Sequence, residues 1–217
     1  VLSSVSVGPD PAYEDTTLTC TPGTSSDDDG DTINFDFEWT VDGSSVSTDD
    51  FLTGSSFNRG QEVICIVTPN DGTVDGLSVS SAGLVINNTA PVIAGAALGP
   101  DPAQVTDTLE CTPGTYSDID SDTVSLSYQW SVNGSVVSST AATLVSPDFV
   151  SGDVVNCQIT PSDGTVSGLS VTSNSLTIEN SVPSISSVSI TPTNSYETST
   201  LTCSPSGWSD ADGDSAN

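Results

Sequence analysis

Three aspartates at alternate positions follow a cysteine at three places in the chain. They are Asp27, Asp29 and Asp31 after Cys20, then Asp118, Asp120 and Asp122 after Cys111, then Asp210, Asp212 and Asp214 after Cys203. Each set falls at the seventh, ninth and eleventh positions after its cysteine. The residues between them vary, from Asp28 and Gly30 to Ile119 and Ser121 to Ala211 and Gly213, so it is the spacing that repeats. At the effective dielectric near a protein surface, two like charges about 4 Å apart repel by about 4 kcal/mol. A loop this crowded is either splayed out in water or folded around a cation. Alternate carboxylates on a tight loop converge on one hard ion. Calcium, with about six to eight oxygen ligands in flexible geometry, suits them better than magnesium. Zinc would want imidazole or thiolate, and the chain has no His. The expectation is structural calcium held by these nine aspartates, with a solvated acidic turn as the alternative. The motif is not an EF-hand, because no helices flank it and no Glu stands at the twelfth position.

The elements that must carry these loops repeat with them. Cys20, Trp39 and Cys65 recur 91, 91 and 92 positions later as Cys111, Trp130 and Cys157. GPDPA at 8–12 recurs at 99–103, and CTPGT at 20–24 recurs at 111–115, with CSPSG at 203–207 as a looser third copy. NDGTVDGLSVSS at 70–81 matches SDGTVSGLSVTS at 162–173, and INNTAP at 86–91 matches IENSVP at 178–183. Such self-similarity marks an array of modules. The modules span 1–88 and 89–180, and a third, incomplete one begins at 181 and runs to 217. In the first, 16–21, 33–41 and 61–68 alternate apolar and polar residues, as strands do, and 77–87 reads as a last strand. Asp42-Gly43, Asn133-Gly134, Asp71-Gly72 and Asp163-Gly164 are hairpin signals. No stretch keeps an apolar 3.6-residue period. About seven short strands in ninety residues predict an all-β sandwich.

Composition excludes several classes of partner. The chain of 217 residues has 29 acidic side chains, one basic side chain (Arg59) and a formal charge of −28. Nothing in it would neutralise phosphates, so neither a nucleic acid nor an anionic membrane surface is an expected partner. No apolar run approaches the ~20 residues that span a bilayer. With no initiator Met and no signal peptide, the chain reads as processed or as a piece of a longer one. With no His and no Lys, Ser–His and Schiff-base chemistry are not available. Carboxylates copied into every repeat are unlike a single catalytic site, so no enzymatic activity is expected.

Two cysteines on strands with a Trp strand between them resemble the immunoglobulin fold. The resemblance implies inter-sheet disulfides Cys20–Cys65 and Cys111–Cys157, packed against Trp39 and Trp130, and an oxidising compartment. It leaves Cys203 with a partner beyond residue 217. It also puts the B–C and F–G loops at one end of each sandwich. The loop of Asp118, Asp120 and Asp122 is then expected to face the junction residues Asn87 and Asn88, with Asp163 of the F–G turn nearby and Asp71 as its counterpart. At the next junction Glu179 or Asn180 would complete the shell. SDxDGD before a Trp strand, GDVVNCQITPSDG at 152–164 and the NTAP linker further resemble secreted bacterial tandem Ig-like, PKD-like and cadherin-like modules. RGQEV at 59–63 departs from SGDVV at 151–155.

That resemblance implies an extracellular or cell-surface role: a calcium-stiffened rod or filament that self-associates end to end or by strand complementation. The competing expectation is an adhesin stalk, or a carbohydrate- or cell-surface-binding array whose binding tip lies elsewhere. Tyr13, Tyr116 and Trp208 are the aromatics that could stack on glycans; Trp39 and Trp130 read as core. Asn87 and Asn133 begin N-glycosylation sequons.

Overall fold

The computed structural model describes residues 1–215. Ala216 and Asn217 lie outside the described residues. The chain is all-β, built of tandem immunoglobulin-like sandwiches. Among the described residues the one helical turn is Gly54–Ser56, and no helix is long and apolar enough to cross a membrane. Two compact units emerge. The first comprises Val1–Pro91 with Ser117–Val124 and Asp163–Val166; the second comprises Val92–Tyr116, Ser125–Ser162 and the chain from Ser167 on.

The first unit pairs a three-stranded sheet with a five-stranded one. The smaller sheet is Val5–Gly8, Leu18–Pro22 and Phe51–Leu52. The larger runs Ser44–Ser47, Asn34–Val41, Glu62–Asn70 and Val79–Ser80, with Leu84–Val85 also on Glu62–Asn70. Period-two burial produces this arrangement. Val63, Cys65 and Val67 are fully buried while their neighbours face outward, and the β-branched residues fit a half-buried pleated surface. Cys20 on the small sheet is bonded to Cys65 on the large one, with Cα atoms 6.1 Å apart. Trp39 stands opposite Cys65 in register and is completely buried. Its indole N–H is satisfied by the Asp49 carbonyl at 2.8 Å.

The second unit repeats the plan. Ala96–Gly99, Leu109–Pro113 and Thr143–Leu144 form the small sheet. Ala103–Gln104, Leu176–Glu179, Val154–Ser162, Ser125–Val132 and Ser135–Val136 form the large one, with Val171–Thr172 beside Val154–Ser162. Cys111 is bonded to Cys157, Trp130 lies opposite Cys157, and its N–H reaches the Ala141 carbonyl at 2.8 Å. The Asp42-Gly43 and Asn133-Gly134 turns both take positive φ, 48° and 77°, then 52° and 77°, as two-residue hairpins require.

One feature differs from the sequence reading, and a second goes beyond it. The segment 77–87 is not one strand but two short ones, Val79–Ser80 and Leu84–Val85. Ser81 causes the break. Its Oγ accepts the Cys65 N–H at 3.1 Å while its own N–H donates to the Cys65 carbonyl at 2.8 Å. A side-chain hydroxyl thus takes the place of a backbone acceptor in the ladder. Ser173 does the same for Cys157, at 3.1 and 2.9 Å. The second feature is the repeated GPDPA segment, which carries the chain from one sheet to the other. After Val5–Gly8, Ala12 forms a parallel bridge with Ile86; after Ala96–Gly99, Ala103 pairs in parallel with Ile178.

Beyond 181 the chain forms a hairpin, Ser187–Thr191 with Thr202–Ser206. Its register places Ile190 opposite Cys203, as Val7 lies opposite Cys20 and Leu98 opposite Cys111. Both strands are exposed throughout, and Cys203 is a free, exposed thiol.

Candidate metal centre

Each aspartate loop is organised by its own first carboxylate. Asp27 Oδ1 accepts the Asp29 and Asp31 amides at 2.9 and 3.3 Å. Asp118 Oδ1 accepts those of Asp120 and Asp122 at 2.8 and 3.5 Å. Asp210 Oδ1 accepts the Asp212 amide at 2.9 Å. These local bonds close each loop into a tight turn of its own backbone.

What packs against the loops then separates them. In the second loop, oxygens of Asp118, Asp120 and Asp122 lie within 4.8 Å of one another, and all three residues are half-buried. The first unit supplies the groups that seat them. The Thr89 N–H donates to Asp120 Oδ2 at 2.6 Å and its hydroxyl to Asp120 Oδ1 at 3.3 Å. The Arg59 guanidinium forms an ion pair with Asp122 and also donates to Asn88 Oδ1. The Asn88 amide donates to Asp163 Oδ2 at 2.8 Å. Asp118 Oδ2 is buried with no hydrogen-bond partner. That oxygen carries anionic charge into a desolvated place, a cost a cation there would offset.

Asp163 is itself held in a tight turn. Its Oδ1 accepts the Thr165 and Val166 amides at 2.6 and 2.7 Å. The Val166 amide, then the Asn88 side chain, lower its pKa from the ordinary 3.8. Asp71 is held the same way by the Val74 and Thr73 amides, and its pKa is lowered too.

The other predicted ligands are less gathered. Asp29 and Asp31 are exposed, and the carboxylates of Asp27, Asp29 and Asp31 do not form a close group among the described residues. Asp27 instead shares a cleft with Asp71, Asp75 and Val1. In the third loop the Ser181 N–H donates to Asp212 Oδ2, as Thr89 does to Asp120. Asp212 Oδ1 is buried without a partner, and so is the hydroxyl of Ser181, a residue only 6% exposed. Asn180, Asp210, Asp214 and Trp208 line one cavity there. Asn180 Oδ1 accepts the Ser151 hydroxyl at 3.5 Å. Glu179, at the end of its strand, is exposed.

The sequon asparagines are both engaged in the fold. Asn87 Nδ2 donates to the Ala12 carbonyl at 3.3 Å, and Asn133 Nδ2 to Asp153 Oδ1 at 2.7 Å. Tyr116 and Trp208 are 48% and 42% exposed, and the Trp208 N–H reaches the Asp214 carbonyl at 3.4 Å. Sequence reasoning missed Arg59, Thr89 and Ser181. The signal for Arg59 was available: it is the one basic side chain in the sequence, and it stands where the repeat departs from itself.

No family model matches the chain, and neither does any curated protein. Solved structures with a similar course include the FN1–FN3 domains of chicken CNTN1, at 11% identity and a TM-score of 0.32 over 94% of this chain and 74% of that one. The fibronectin(III)-like modules of Clostridium thermocellum CbhA align at 16% identity and a TM-score of 0.29, over 81% of this chain and 94% of that one. Likeness at this level carries no argument about function. The sandwich assignment stands on the strand order, buried tryptophans and disulfides described above.

Proposed function

We propose that the chain is a non-catalytic structural repeat of an extracellular or cell-surface rod or filament, stiffened by calcium. The observation that carries this reading is the clustering of Asp118, Asp120 and Asp122 around the buried, unpartnered Asp118 Oδ2, with Thr89 drawn onto the same loop and Asn88 onto Asp163. Those aspartates, with Asp163 and the Asn88 side chain, are the oxygen ligands a hard dication would take. Bound there, calcium would fasten the loop to residues 88–89 and oppose their rotation, and Pro91 narrows the backbone freedom that remains. Asn180, Asp210, Asp212 and Asp214 would form the corresponding site in the second unit.

The two disulfides support an oxidising, extracellular setting. The exposed hairpin Ser187–Thr191/Thr202–Ser206 supports self-association. Its outward Val188, Ile190 and Leu201 offer apolar surface to a complementing strand, whether from more of the same chain or from a neighbouring copy.

Electron microscopy of the chain in calcium and after EGTA tests the reading. Straight fibres that loosen on chelation are expected. Fibres indifferent to EGTA would remove the calcium role, and short isolated rods in calcium would favour a stalk over a filament.

A further inference from the structure

We propose that Arg59 is a tethered counter-cation for the Asp118–Asp122 loop, so that this loop takes calcium more weakly than the Asp210–Asp214 loop. The inference rests on the calcium reading above and adds a difference in affinity between two sites of one chain.

The repeats supply the comparison. Cys65 corresponds to Cys157, and counting back the same distance sets Arg59 against Ser151. Both side chains donate to the asparagine that ends their module, Arg59 to Asn88 Oδ1 and Ser151 to Asn180 Oδ1. Only the first brings a positive charge. Both terminal guanidinium nitrogens engage the two oxygens of Asp122, a planar fit that ammonium or hydroxyl cannot copy. With Asp120 occupied by Thr89, one oxygen of the two outer aspartates is left without a partner, Asp118 Oδ2.

Among the described residues no cationic side chain is bonded to the third loop; its carboxylates are less closely gathered than those of the second, and the lack of a tethered positive charge there outweighs that spacing. Asp212 Oδ1 and the Ser181 hydroxyl are both buried and unpartnered, and Ser181 is 6% exposed. Two buried oxygens of this kind are costly to leave bare. At the second loop calcium must instead push the guanidinium off Asp122 or sit beside a like charge. Because Arg59 is part of the chain, it competes at a high effective concentration that dialysis does not lower.

Calorimetric calcium titration of the full chain should resolve a weaker class, removed by Asp118→Asn, and a tighter class, removed by Asp212→Asn. Arg59→Ser, and equally Arg59→Gln, should tighten the weaker class by about two- to fivefold, and Ser151→Arg should weaken the tighter class by a similar factor. In EGTA, amide hydrogen exchange across 117–124 should be slow in the parent chain and faster in both Arg59 variants. Binding in both classes with the weaker one unmoved by the Arg59 variants would overturn this inference and leave the calcium reading standing. No heat of binding in any variant would overturn the calcium reading, and this inference with it.

Discussion

At the scale of single residues, Asp71 and Asp163 show how much of the acidity is spent on backbone order. Each carboxylate accepts two amides of its own turn, and its pKa is lowered from 3.8, chiefly by the Val74 or Val166 N–H. A depressed folded pKa means stabilisation that is fully present above the ordinary carboxylate value and is lost as pH falls through the lowered one. The amide NMR shifts of Thr73, Val74, Thr165 and Val166 should therefore titrate together with a midpoint below 3.8. Asp71→Asn and Asp163→Asn should remove that acid transition while keeping an acceptor in place. The aspartate spacing was legible in the sequence because it repeats. That the middle loop gathers its carboxylates while the first leaves Asp29 and Asp31 exposed was not legible, because Thr89 and Arg59 make the difference from distant parts of the chain.

At the scale of elements, the strands around each Trp and Cys were readable from alternation, since one face of each is buried against the disulfide. The split of 77–87 was hidden because Ser81 is as compatible with a strand as with a break. What decides is a hydroxyl inserted into the ladder at Cys65, which no local pattern encodes. Ser173 makes the same insertion at Cys157, a residue with no exposure. Ser173→Ala would leave the Cys157 N–H buried without an acceptor, and such orphaned donors cost about 1–3 kcal/mol. Urea unfolding of Ser173→Ala should show that loss as a lower midpoint with an unchanged slope. An unchanged midpoint would mean that water or a shifted carbonyl takes over the bond. The sheet switch at GPDPA was equally hard to foresee: Ala12 and Ala103 reveal their role only through parallel partners some seventy-five residues on, Ile86 and Ile178.

At the scale of the whole molecule, a formal charge of −28 on 217 residues sets a self-repulsion that folding concentrates. Screening shortens its reach to about 8 Å at physiological ionic strength. The melting temperature should therefore rise with sodium chloride, and calcium chloride should raise it further at equal ionic strength. Equal effects of the two salts would reduce calcium to a screening ion. Fold class and module repeat were open to the sequence because both rest on patterns carried many times over. The single cation has a separate consequence for anyone handling the material. With one Arg and no Lys, trypsin has one peptide bond to cut, Arg59–Gly60, and that bond lies inside the span closed by Cys20–Cys65. A nicked chain stays one covalent molecule until it is reduced, so damage at this point is invisible on a non-reducing gel and appears as two fragments only with thiol.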